Sequence, residues 1–147
     1  MEKDNATGSQ PLRVTAYFKT STNPLEPQNS YAAQKTYYIH RIALHSNWEL
    51  AGVYADSRQH RAAADQTVFQ QMLADCKAGK IDLILVRSIP QFCRNSADCL
   101  AILQMLKRRS IGVLFEKEQI NMLNDSGDVL INISVILQSI FNLVIII

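Results

Sequence analysis

Apolar residues gather in four short runs along this chain, and the stretches between them carry apolar residues at every third or fourth position. The runs are "LRVTAYF" (12–18), "WELAGVYAD" (48–56), "IDLILVRS" (81–88) and "IGVLFE" (111–116). Each is β-branched or aromatic in character, so each predicts a strand. The unbroken apolar stretch Leu83–Val86 predicts burial on both faces of a sheet. Between the first two runs, Tyr31, Gln34, Tyr38, Ile42 and His45 recur at helical spacing and predict a helix over 30–45. A second helix is predicted over 68–78, closed by Gly79. A third begins with Asn95 or Ser96 as its cap and runs to about 108. The segment "SRQHRAAADQT" (57–67) is polar and without period, which predicts a mobile loop. Residues 117–128 form a connection with room for a short edge strand, and a last helix is predicted from 126–128 to residue 147.

Alternation of this kind predicts an α/β fold in three layers, with a mostly parallel sheet of four to five strands and a long C-terminal helix. Such sheets bind and react at the carboxyl ends of their strands. Those exits carry Lys19, Thr20 and Ser21 after the first strand, Asp56 after the second, Arg87 and Ser88 after the third and Glu116 after the fourth. Hydroxyls and cations at one edge suit an anionic substrate.

Length changes the picture only by limiting it: 147 residues predict one domain. We divide the chain into a lead-in (1–11), a domain (12–125) and a terminal helix (126–147). A formal net charge of +2 excludes a basic tail protein, so any affinity for DNA from charge alone is weak and salt-sensitive. The three cysteines, Cys76, Cys93 and Cys99, have neither disulfide-framework nor zinc spacing and are expected to be packing residues, as in a reducing cytoplasm. The first ten residues have no apolar core of a signal peptide. Residues 129–147 hold no charged side chain. A membrane span is disfavoured there, because Asn132, Ser134, Gln138, Ser139 and Asn142 share one half of a helical wheel. Val129, Leu130, Ile133, Ile136, Leu137, Ile140 and Val144 form an apolar stripe on the other, and after Asn142 the chain is apolar all round.

The stretches "AYFKTST" (16–22), "NSYAAQ" (29–34), "WELAGVYAD", "AGKIDLILVRSIPQFCRN" (78–95) and "GVLFEKEQINMLNDSGD" (112–128) together resemble the catalytic, resolvase-type domain of serine site-specific recombinases, in the style of the large recombinases of mobile elements. The resemblance spans about 12–138. It implies that Ser21 attacks a DNA phosphodiester, forming a 5′-phosphoserine link and releasing a 3′-hydroxyl, with no metal or other cofactor. It implies that Arg94 clamps a phosphate, that Gln34, with Thr22 nearby, supports the nucleophile, and that the terminal helix pairs subunits into a homodimer or a tetramer on DNA. Arg58, Arg61 and Arg87 are further candidates for DNA contact.

The chain departs from that family at its charges. Lys19 stands where the family has arginine, and Gln91 stands where the first arginine of a pair is expected, the second being Arg94. Gln66 stands where a further arginine is expected, and "SRQHRAAAD" replaces a glycine-serine-rich stretch. Lys19 keeps charge without a bidentate fork, and Gln91 loses the charge. Two expectations follow. Either the domain cleaves and rejoins DNA through Ser21, or it is an inactive remnant that folds and dimerises only, with its DNA-binding region missing. Asp56 is expected to be a turn residue, and His40, His45 and His60 are expected to have no part in chemistry.

Overall fold

The computed structural model describes residues 10–57, 67–93 and 96–122. A five-stranded sheet in the order β2-β1-β3-β4-β5 forms its middle layer. β1 (Leu12–Thr20) lies between β2 (Trp48–Ser57) and β3 (Leu83–Val86), and β4 (Gly112–Phe115) follows β3. These four are parallel, and the two-residue β5 (Ile120–Asn121) returns antiparallel to β4. The mostly parallel α/β sheet and the short edge strand were both legible in the apolar pattern.

Helix α1 (Tyr31–Ala43) connects β1 to β2, α2 (Thr67–Lys77) precedes β3, and α4 (Ser96–Arg108) precedes β4. Right-handed crossovers explain the layering, since a chain moving to one side of β1 must cross on one face and a chain moving to the other side on the opposite face. Two cores result. One packs Val14, Ala16, Phe18, Leu83 and Leu85 against Tyr38 and Ile42 of α1. The other packs Tyr17, Ile84, Val86, Val113 and Phe115 beneath α2 and α4. Consecutive residues of β1 and β3 therefore serve opposite layers, which is why both strands read as continuous apolar runs.

Local chemistry sets the helix ends. Ser30 caps α1, its hydroxyl oxygen accepting from Ala33 N at 3.1 Å, and His40 and Arg41 lie in the last turn where cations oppose the helix dipole. Gln34, Tyr38 and Ile42 are the buried face. After α2, Gly79 takes φ +79°, a conformation that costs glycine little, while Lys80 N donates back to Asp75 O. Below the sheet, Arg13 grips Asp82 through Nε at 3.0 Å and a terminal nitrogen at 3.1 Å, tying the lower ends of β1 and β3.

Several boundaries differ from the expected ones. β1 runs two residues beyond 18 because Lys19 and Thr20 pair with Asp56 and Ser57 of β2. β3 is shorter than 81–88, because pairing with both neighbours covers only four residues. A four-residue helix, α3 (Ile89–Phe92), follows β3 and is too short to have a readable period. His45 lies outside α1 and stacks on Trp48 with ring centroids 3.6 Å apart. The expectation that all three cysteines are packing residues is corrected. Cys93 and Cys99 form a disulfide, with Cα atoms 5.0 Å apart, because the end of α3 and the second turn of α4 meet in the core. Cys76 is free and buried, and burial pushes its thiol up to about 12. Among the described residues no helix is long and apolar enough to cross a membrane. The expected loop over 57–67 lies almost wholly outside the described residues, as does the terminal helix.

Burial first, and Arg41 second, lower the His45 pKa from 6.5. A depressed histidine adds stability above its unfolded value, and that stability is lost as pH falls through the folded value. Trp48 is the single tryptophan and touches that ring. Its fluorescence is expected to be quenched on acidification with a midpoint below 6.5, and His45→Gln is expected to abolish the transition. A midpoint at or above that value would contradict the contact.

Candidate active site

Ser21 is the first residue beyond β1 and is half-buried. Its backbone N–H donates to Asn29 O at 2.8 Å, so the chain leaves the strand and closes on itself eight residues later. Within that loop the Ser21 Oγ accepts from Asn23 N at 3.1 Å, and Asn23 Oδ1 accepts from Leu25 N at 3.0 Å. A 3₁₀ turn at Pro27–Asn29 then delivers the chain to the cap of α1. Two prolines and two side-chain-closed turns give the loop little freedom.

Gln34 locks this arrangement from the first turns of α1. Its Nε2 donates to Lys19 O and to Asn29 O, both at 2.9 Å. One buried carboxamide thus joins the last turn of the strand to the end of the loop. Lys19, Ser21 and Gln34 are brought together by this contact, whereas Thr22 is exposed.

Strand alternation sorts the cations. Tyr17 faces the α2 and α4 layer, and Lys19, two residues on, shares that face. α3 lies in the same layer, with Ile89 and Phe92 in its core. Gln91 on α3 holds a buried carboxamide oxygen that has no hydrogen-bond partner. Leu83 and Leu85 of β3 face α1, so Arg87 leaves the sheet on the α1 side. Its guanidinium lies 5.6 Å from the Tyr37 ring centroid, and its Nε is 3.8 Å from Glu116 Oε1. Arg87 is thus engaged with Glu116 on the face opposite Lys19. Arg58, Arg61, Gln66 and Arg94 lie outside the described residues.

Two acidic residues organise the edge in ways that the chain pattern did not reveal. Asp56 is corrected from a turn residue to a buried anion. It accepts from Tyr17 Oη at 2.8 Å, Phe69 N at 3.0 Å and Val68 N at 3.3 Å. It supplies the negative charge that the start of α2 favours, and burial followed by Asp56 pushes the Tyr17 phenol well above its usual range. Nothing in the spacing of Asp56 and Val68 announces this contact, because the register Lys19↔Asp56 is a tertiary fact. Glu116, the first residue after β4, accepts from Tyr37 Oη at 2.8 Å, Tyr38 Oη at 2.9 Å and Arg41 Nε at 2.5 Å. Burial and the Glu116 carboxylate push the Tyr38 phenol up. The aromatic pair at 37–38 beside a helix arginine was a visible signal, but its acceptor lies some 80 positions away. Among the described residues no group of acidic, histidine or cysteine side chains is arranged to hold a metal ion.

A mostly parallel sheet flanked by helices, with a candidate nucleophilic hydroxyl at the exit of the interior strand β1, defines a class: a layered α/β domain with a serine at the carboxyl edge of its sheet. The family model "Resolvase, N terminal domain" matches residues 14–144, and the chain belongs to that family. Its fold is similar to the N-terminal catalytic domain of TP901-1 integrase, at 19% identity and a TM-score of 0.65, covering 87% of this chain and 95% of that one. It is similar to a resolvase family site-specific recombinase from Streptococcus pneumoniae at 26% identity and a TM-score of 0.64, covering 87% and 89%. The C-terminal catalytic domain of ISC1926 TnpA, an IS607-like serine recombinase, is similar at 11% identity and a TM-score of 0.59, covering 82% of this chain and 76% of that one. No curated protein matches the sequence.

Gln34→Ala removes both donated bonds and is expected to cost about 1–2 kcal/mol. Hydrogen exchange should speed up at the Ser21 amide while the β3 amides stay protected, and unchanged Ser21 exchange would refute the lock. Asp56→Ala leaves Tyr17 and two amides without an acceptor and is expected to cost about 2–4 kcal/mol in a urea melt.

Proposed function

We propose that this domain cleaves and rejoins DNA at specific sites through Ser21. The Ser21 Oγ forms a bond to a backbone phosphorus while the bond from phosphorus to the 3′-oxygen breaks. The serine gives up its proton, the departing 3′-oxygen gains one, and the 5′-phosphate stays on the protein. Attack by another strand's 3′-hydroxyl reverses the step. The covalent link keeps the phosphodiester energy, so rejoining needs no nucleotide cofactor.

The observation that carries this reading is the Gln34 lock on a serine at the exit of the interior strand β1. A nucleophile for a backbone phosphate needs a rigid mount at an open edge. Lys19 supplies charge on the Tyr17 face, and Arg94, two residues past the end of α3, is the phosphate clamp. Arg58 and Arg61 are the further cations of the loop before α2, and Arg87 serves DNA as a partner of Glu116 at the edge. Cutting both strands of a duplex takes two serines, so two copies act on each site and four on an exchanging pair. Residues 12–125 form the catalytic unit, and 126–147 carry the contact between copies.

A second reading, an inactive remnant, is favoured by Gln91. A neutral amide with an unpaired oxygen sits there in place of a cation. Removing one preorganised donor typically costs about 10²–10³ in rate, and Lys19 and Gln66 are further departures.

Supercoiled DNA bearing a crossover site should yield a covalent protein–DNA adduct on a denaturing gel, absent with Ser21→Ala. Gln91→Arg is expected to raise the adduct yield by about 10²-fold. An adduct that survives Ser21→Ala would refute the catalytic reading. If neither the native chain nor a variant with arginine at 19, 66 and 91 forms an adduct, the remnant reading stands.

A further inference from the structure

The turn between β4 and β5 holds two acids two residues apart, and they serve opposite layers. Glu116 accepts from Tyr37, Tyr38 and Arg41 of α1. Glu118 accepts from the backbone amide of Ile89, the first residue of α3, at 3.2 Å to one carboxylate oxygen and 3.3 Å to the other. Ser88 occupies the cap position of α3, yet its side chain makes no capping bond. Pro90, next in the helix, has no amide to donate. Ile89 is wholly buried, so without Glu118 its N–H would lie in the core with no acceptor. The carboxylate arrives preset. Glu116 N donates to Val86 O at 3.0 Å and Lys117 N to Arg87 O at 2.8 Å, so the turn extends the pairing of β4 with β3. Gln119 closes the turn in the left-handed region, at φ +59°, its N–H on Glu116 O at 3.3 Å.

α3 follows Val86, where the pairing of β3 with β1 ends, and it lies against β1 as well as β3. Its far end is tied by the Cys93–Cys99 disulfide, and Phe92 packs edge-on against Phe69 and Phe115. Gln91 brings its buried, unpaired carboxamide oxygen into this layer, the one that Lys19 faces. We propose that Glu118 is a positioning residue of the Ser21 site: through the Ile89 amide it fixes the start of α3, and with it the placement of residue 91 against β1. The proposal rests on the reading of Ser21 as the nucleophile. Glu118 touches no reacting group. What α3 needs from it is an acceptor oxygen at that reach, which a neutral carboxamide also supplies.

Three substitutions in the full chain separate reach from charge. Glu118→Gln keeps the acceptor without charge, Glu118→Asp keeps the charge but falls one methylene short, and Glu118→Ala has neither. Without DNA, amide exchange in the ¹⁵N-labelled chain is read at Ile89 and at Cys93, whose N–H donates to Ile89 O. With Ala and Asp it is expected to speed up about tenfold or more, and with Gln to stay near the native rate, while the β3 amides keep their protection. The Lys19 and Ser21 amide signals should shift with Ala and Asp and stay in place with Gln. In the chain carrying Gln91→Arg, Glu118→Asp is expected to lower the Ser21 adduct yield about 10- to 100-fold, and Glu118→Gln to preserve it. Native exchange at Ile89 with Ala and Asp, Lys19 and Ser21 signals indifferent to both, or Gln behaving as Ala would each overturn the proposal. So would an adduct yield that Glu118→Asp leaves unchanged. If no chain forms an adduct, the cleavage reading alone fails, and the DNA-free signals still decide the role of Glu118. If Glu118→Ala does not fold, Glu118→Asp against Glu118→Gln decides.

Discussion

β1 outruns β3, and the candidate site depends on that mismatch. Pairing with β3 ends at Tyr17, whereas pairing with β2 continues to Thr20. The last three residues of β1 are therefore paired to a neighbouring strand on one side only. A strand hydrogen-bonded on both sides to its end would bury its exit, and one free on both sides would fray. The half-paired overhang keeps the backbone rigid while opening the flank above β3. Ser21 stands at its tip, and the Gln34 carboxamide takes over the role that a β3 partner would otherwise fill, by binding Lys19 O and Asn29 O.

The same edge is divided electrostatically by the pleat. On the α1 face, Glu116 draws in Arg41, Arg87 and two tyrosine hydroxyls, so the cations there are largely spent on an internal anion. On the other face, Asp56 takes the Tyr17 hydroxyl and the first amides of α2. Both carboxylates fasten a helix to the sheet: Glu116 at the exit of β4 accepts from three side chains of α1, and Asp56 of β2 accepts from Tyr17 of β1 and two amides of α2. Membership of the resolvase family gives the serine a context, and Gln91 places a neutral carboxamide with an unpaired buried oxygen in the α3 layer.

The cysteine pair shows how proximity in the sequence misleads. Six positions separate Cys93 from Cys99, a spacing that suggests no known framework, yet α3 ends where α4 begins its first turns, and the sulfurs meet in the core. The short α3 itself has no sequence period to announce it, and it forms because Pro90 can occupy a first-turn position after Ser88.

By itself the sequence determined the layered α/β class, the four parallel strands, α1, α2 and α4 to within a few residues, and a serine at the exit of the first strand. These follow from local periodicity and from the short-range chemistry of caps and turns, which neighbours along the chain express directly. Only the tertiary structure decided that β1 lies between β2 and β3 and overhangs β3, that Lys19 and Arg87 leave on opposite faces, and that Asp56 and Glu116 are buried or partly buried acceptors. Register and face depend on pairings between residues far apart in the chain, such as Tyr17 with Asp56, 39 positions apart, and Tyr38 with Glu116, 78 apart. No local pattern encodes a partner at that distance, because the free energy that selects it comes from burying both residues at once.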